Sequence, residues 1–166
     1  MMKTETDLEI ISYLTFRLGE EEYGTHVSNV LNILDMQPIT RVPQAPEYMK
    51  GVINLRGMVL PVIDTRLKFG MSETIHSEKT CIIVFDLKVN EDVIHIGMLV
   101  DEVVAVLQIE NSQIEPPPSI GTIYQSTYIT GVTRINDRFI MILDMLKSLS
   151  LNEVSDLITL KQEELA

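Results

Sequence analysis

The sequence predicts a mainly β protein folded as two intimately packed five-stranded barrels with a few short helices, and three observations predict it. About ten short runs carry strand-like patterning separated by turn residues. Two stretches of the chain recur at a nearly constant spacing. Helical signals are few and each is short.

Residues 1–12 form a loose lead-in, after which Leu14, Phe16 and Leu18 alternate with Tyr13, Thr15 and Arg17, the period of a half-buried strand. Gly19-Glu20-Glu21-Glu22 turns the chain. Further strands are expected over 23–27, 30–36, 51–55, 58–63, 80–87, 93–100, 103–109, 129–135 and 139–143. Pro46 and Glu47 suit the first turn of a brief helix that Gly51 ends, and Asp64 suits the cap of T-R-L-K-F before Gly70. Asp144 stands in the same relation to M-L-K-S-L. Residues 111–123, with Pro116, Pro117 and Pro118, are expected to be a loop. In the terminal extension, 150–166, Val154, Leu157, Ile158 and Leu165 recur at spacings that a helix brings to one face.

The repeat sets the organisation. G-V-I-N-L-R-G-M-V-L-P-V-I-D at 51–64 lies over G-V-T-R-I-N-D-R-F-I-M-I-L-D at 131–144 without a gap, at an offset of 80 residues. Y-G-T-H-V-S-N-V-L-N-I-L at 23–34 lies over I-G-M-L-V-D-E-V-V-A-V-L at 96–107, at an offset of 73. The segment 13–149 is therefore expected to use one supersecondary unit twice, over roughly 13–70 and 80–149, with exchange of strands between the halves left open. Closure into barrels removes exposed sheet edges. Pro61, which cannot donate to a ladder, must then face an edge, a bulge or a gap.

Composition excludes several functions. Thirteen basic against twenty-four acidic residues give a net charge of −11, which repels phosphate backbones and anionic lipid heads, so nucleic acid is not an expected partner. No run of about 18 apolar residues occurs and the start is acidic and polar, so a soluble cytoplasmic chain without direct membrane insertion is expected. The single cysteine, Cys81, lies in the apolar run C-I-I-V-F and reads as a buried small hydrophobe. His26, His76 and His95 share no metal-ligand spacing, and no nucleophile elbow or phosphate-cradling glycine loop is present. No catalytic group, metal or cofactor is expected. Asp64 and Asp144 each end a strand before a short helical pattern, where an aspartate caps backbone N–H groups.

One residue is not explained by packing. In N-L-R-G at 54–57 the flanking strands place Arg56-Gly57 at a hairpin tip, whereas the matching tip is Asn136-Asp137, a pair suited to a tight turn. A cation is therefore not demanded by the turn. It serves either as a solubilising surface charge or as a contact, arginine being enriched in binding hot spots.

The string K-G-V-I-N-L-R-G-M-V-L-P-V-I-D-T-R at 50–66 resembles the central segment of the CheW family. Y-L-T-F-R-L-G-E-E-E-Y-G at 13–24, the V-P-x-A-P run at 42–46 and G-M-L-V-D-E-V at 97–103 extend the resemblance over about 13–149. It implies two SH3-like barrels, no enzymatic activity, and a role as a chemotaxis adaptor. Such an adaptor couples the cytoplasmic tips of methyl-accepting chemoreceptors to the histidine kinase CheA in membrane-associated arrays, with other CheW copies as further partners. Carried over residue by residue, the receptor or kinase contacts fall on Arg56, Gly51, Val30 and Ile33. The chain departs from the family pattern after Val30, where many members have a charged V-x-E-I run and this one has the largely uncharged Leu31-Asn32-Ile33-Leu34. An adaptor for a kinase pathway other than chemotaxis fits the same residues, and a small-molecule-binding barrel is a more distant alternative.

Overall fold

The computed structural model describes residues 9–117, 128–150, 153–154 and 156–157. Among them are ten strands: β1 (Ile10–Leu18), β2 (Glu21–His26), β3 (Val30–Asp35), β4 (Met49–Leu55), β5 (Met58–Asp64), β6 (Cys81–Val89), β7 (Asp92–Val100), β8 (Glu102–Glu110), β9 (Ile129–Ile135) and β10 (Arg138–Leu143). Every strand expected from the alternation is present, with ends shifted by a few residues. A short α-helix, α1 (Thr65–Lys68), follows β5.

The strands form two five-stranded sheets, ordered β8-β1-β2-β10-β9 and β3-β6-β7-β5-β4. Each contains two antiparallel hairpins joined by one parallel ladder, β2 with β10 in the first and β7 with β5 in the second. Each sheet takes two strands from one half of the sequence repeat and three from the other. The compact units follow the sheets, not the contiguous halves. Unit 1 draws on the chain up to Val27 and on Val103–Leu149, and unit 2 on Ser28–Glu102 and the chain from Ser150. Parallel pairing requires long connections: between β2 and β10 the intervening chain builds the sheet of the other unit, whereas between β5 and β7 it builds α1 and β6 of the same unit.

Each unit has its own core. In unit 2, Ile53, Leu60, Val62, Ile82, Val84 and Leu99 are buried together, with Leu34 packed against them. In unit 1 the cluster is Tyr13, Ile109, Ile140 and Ile142. Leu60 and Val62 occupy the repeat positions of Ile140 and Ile142, so the repeat is first a repeat of inward-facing residues.

Proline and aspartate act locally as their chemistry requires. Pro61 pairs with Val52 of β4, but the ladder to β7 begins only at Val62, so the proline sits in a gap. Asp64 is fully buried and caps α1 through the Leu67 N–H at 3.4 Å. It also accepts the Thr74 N–H at 3.0 Å and the Thr74 hydroxyl at 2.8 Å, which pins the following loop. Asp144 accepts the Lys147 N–H at 3.2 Å, at the head of a 3-10 turn instead of an α-helix.

The expected helix at Pro46 does not form. Pro46 and Met49 close a single turn, and β4 starts at Met49, which leaves too few residues for a helix. The loop after β8 begins with a 3-10 turn, Asn111–Gln113, and Glu115 bridges Val132; Pro118 and the residues to 123 lie outside the described residues. In the terminal extension, 153, 154, 156 and 157 are helical, while Ile158 and Leu165 lie outside the described residues.

Candidate protein-binding site

The hairpin of β4 and β5 ends on the Leu55–Met58 pair, leaving Arg56 and Gly57 at its tip with φ of 53° and 86°. Two successive left-handed residues are what a two-residue hairpin turn requires. Asn54 fixes the tip, its Oδ1 accepting the Gly57 N–H at 2.8 Å. Arg56 is exposed and takes part in none of the ion pairs among the described residues of unit 2, which join Lys50 to Glu73 and Asp64, Arg66 to Asp101, Lys68 to Glu153 and Lys79 to Glu102. Asn136 and Asp137 at the matching tip have φ of 50° and 62°. Asparagine and aspartate tolerate this region through local hydrogen bonding, whereas an arginine held there is strained by on the order of 1 kcal/mol.

Gly51 lies beneath the surface. It is buried with φ of 144°, and a Cβ on it would stand 2.1 Å from the Thr40 carbonyl oxygen. The close approach lets Thr40 and Val52 exchange two backbone hydrogen bonds, of 2.9 and 2.8 Å. Unit 1 repeats the clamp: a Cβ on Gly131 would meet Ile114 Cγ2 at 2.4 Å, and Glu115 and Val132 exchange two bonds of 2.8 Å. Gly51 therefore presents no side chain and acts by seating β4 beneath its hairpin.

Val30 and Ile33 lie on β3, at the opposite end of the strand order from β4. Exposure alternates along this strand, so Val30 shares a half-buried row with Leu34 while Leu31 and Ile33, 49% and 44% exposed, face outward with Asp35. Leu31, not Val30, is thus the neighbour of Ile33 on the outer face.

The sequence repeat extends to this outer face. Ile33 aligns with Val106 on β8, and Val59 on β5 aligns with Phe139 on β10; all four are exposed apolar residues, Val106 at 60% and Phe139 at 62%. Single exposed hydrophobes are ordinary on a protein surface. The same outward positions are thus apolar and exposed in both units. Phe139 and the residues around it have the composition of a binding hot spot. The Arg134 guanidinium lies 5.8 Å from its ring centroid, and Arg138 approaches the buried Glu22 carboxylate at 3.5 Å. The exposure of Phe139, Val59, Val106 and Leu31 was not read from the sequence, although overlaying the two repeats brings Val59 over Phe139 and Ile33 over Val106.

The remaining polar groups hold unit 2 together. Arg66 on α1 grips Asp101 with Nε at 3.0 and 3.1 Å and Nη2 at 2.6 Å, both side chains about four-fifths buried. Among the described residues no group of three or more His, Cys, Asp or Glu side chains could hold a metal ion. His26 packs edge-on against Tyr13 at 4.9 Å.

Two five-stranded barrels with apolar residues displayed at matching strand positions define an interaction module of the double SH3-like class. The chain belongs to the CheW-like domain family, whose model matches residues 12–153. It is 36% identical over 143 residues to chemotaxis protein CheW of Klebsiella aerogenes, covering 86% of this chain and 84% of that protein. Its identity to chemotaxis protein CheW of Helicobacter pylori is 34% over 142 residues, covering 85% and 82%. The crystal structure of the scaffolding protein TtCheW from Thermoanaerobacter tengcongensis superposes with a TM-score of 0.71 at 32% identity, over 82% of this chain and 90% of that one.

Proposed function

We propose that this chain couples methyl-accepting chemoreceptors to a CheA-type histidine kinase, acting as a non-catalytic adaptor recruited to receptor arrays. Family membership supports a chemotaxis coupling role. The observation that carries the reading further is the recurrence of outward apolar residues at equivalent positions, Ile33 with Val106 and Val59 with Phe139. A protein that joins two partners needs two faces, and a duplicated barrel supplies them by repeating one. Arg56 adds a cation on a preorganised tip, with Gly51 seating the strand below it. The outer row of β3, led by Ile33 and Leu31, supplies apolar contact while Val30 shapes the strand from its inner side. In this role the protein transmits geometry between partners, and weak single contacts become avid when many are arrayed.

The reading is tested by co-sedimentation of the kinase with vesicles bearing receptor signalling fragments, with and without this chain. Kinase should enter the pellet only when the chain is present, and Ile33→Lys and Phe139→Glu should each reduce that recruitment without unfolding the protein. Recruitment independent of the chain would reject the coupling role, and recruitment by either variant equal to that of the unaltered chain would reject the two faces.

A further inference from the structure

The described start of the terminal extension seats on unit 2 through side chains that the coupling role does not use. Ser150 opens a helical turn: its Oγ accepts the Glu153 N–H at 3.2 Å and its carbonyl accepts the Val154 N–H at 3.0 Å. Ser150 and Glu153 have the S-x-x-E spacing of a capping box, but the glutamate side chain reaches elsewhere. It pairs with the Lys68 ammonium, and the two side chains are only 18% and 13% exposed. Lys68 Nζ also lies over the Tyr48 ring, 4.4 Å from its centroid. Burial, then the charge of Glu153 and a hydrogen bond to its carboxylate, and then the charge of Asp156, push the Tyr48 phenol above its ordinary pKa, as expected of a hydroxyl facing carboxylates.

Both anchors stand on fixed backbone. Tyr48 immediately precedes β4, and its carbonyl accepts the Asp64 N–H at 2.7 Å. Lys68 closes α1, whose cap Asp64 is fully buried. The occupant is held less completely, since the buried Glu153 Oε2 has no hydrogen-bond partner among the described residues. A buried, half-satisfied carboxylate lowers the stability of the docked state relative to a solvated one.

We propose that Tyr48 and Lys68 form a docking site for a carboxylate on the first turn of a helix, and that the chain's own segment from Ser150 is its releasable occupant. A cation over an aromatic face beside a phenol recognises a carboxylate, and the helical turn presents it. Attached in cis, the segment sees the site at an effective concentration of order millimolar, so an acidic helix supplied in trans competes only once the cis contact is weakened. This holds whether or not the protein couples a kinase.

The test uses the full chain and three variants, Lys68→Glu, Glu153→Lys and the double exchange, with hydrogen exchange measured on the terminal segment. Each single variant should accelerate exchange at residues 153–157 about ten-fold, the scale of one lost charge-assisted hydrogen bond, and the double exchange should restore protection. A synthetic peptide of residues 149–166 should bind the Glu153→Lys chain at least ten-fold more tightly than the unaltered chain, and should not bind the Lys68→Glu chain. Because Glu153 lies outside both sheets, its variant keeps the test valid even if Lys68→Glu disturbs α1. Unchanged exchange in the Glu153→Lys chain, or equal peptide binding by the unaltered and Glu153→Lys chains, would overturn the proposal.

Discussion

Replacing Arg56 by asparagine should make the protein more stable and less functional. Arg56 sits at φ 53° and is followed by Gly57 at 86°, while the equivalent turn in unit 1 uses Asn136 at 50°. A left-handed residue with a Cβ costs roughly 1–2 kcal/mol, much of which asparagine avoids by hydrogen bonding locally. The exchange should therefore return about 0.5–1 kcal/mol. Nothing opposes the gain, because Arg56 is exposed and takes part in none of the ion pairs among the described residues of unit 2, and the Asn54 bond to Gly57 is kept. For a chain of this length that energy raises Tm by about 1–4 °C. Thermal unfolding followed by circular dichroism resolves such a shift, and the same samples serve for kinase recruitment. A variant with higher Tm and weaker recruitment would show that strain at the tip is retained for the sake of the cation. An unchanged or lower Tm would refute the argument. Arg56→Gly separates the parts, since it relieves the backbone without adding an amide.

Gly51→Ala should destabilise unit 2 by about 2–4 kcal/mol, because its Cβ cannot fit beneath Thr40 without breaking the paired bonds to Val52; denaturant unfolding measures it. Any loss of coupling in that variant should track its loss of folded protein. Asp101→Asn should cost about 1–2 kcal/mol by the same measurement, since it leaves the largely buried Arg66 guanidinium with a weaker partner. Tyr48 should ionise above the ordinary tyrosine value of about 10, and its tyrosinate absorbance should show Glu153→Gln moving that midpoint downward. Since the folded pKa is the raised one, the contribution of the Tyr48 phenol to docking is fully present below the undocked value and is lost as pH rises through the docked one.

β1 is not half-buried as its alternation suggested: Tyr13 and Thr15 are as buried as Leu14 and Phe16, because both faces of that strand are covered. The strands were legible where alternation follows from one buried face, as along β3. The repeat was legible for the same reason, as its matching positions, Leu60 with Ile140 and Val62 with Ile142, are core positions. Exchange of strands between the halves was not, because side-chain period says which face a strand buries and nothing about which neighbour it joins. Pro46 misled for a related reason: proline suits the first turn of a helix and a single tight turn equally, and only the start of β4 at Met49 decides between them. At the site, the Arg56 tip followed from turn chemistry. The burial of Gly51 did not, since its reason is the Thr40 carbonyl, eleven residues away in the chain. Val30 and Ile33 are three residues apart, which on a strand means opposite faces, so parity alone separates the half-buried Val30 from the outward Ile33.

The central claim is tested most directly by autophosphorylation of the cognate CheA-type kinase in the presence of receptor signalling fragments, with this chain, without it, and with Arg56→Glu in its place. The account predicts strong activation that requires the chain and is lost in a still-folded Arg56→Glu variant. A kinase rate that is the same with and without the chain would contradict it.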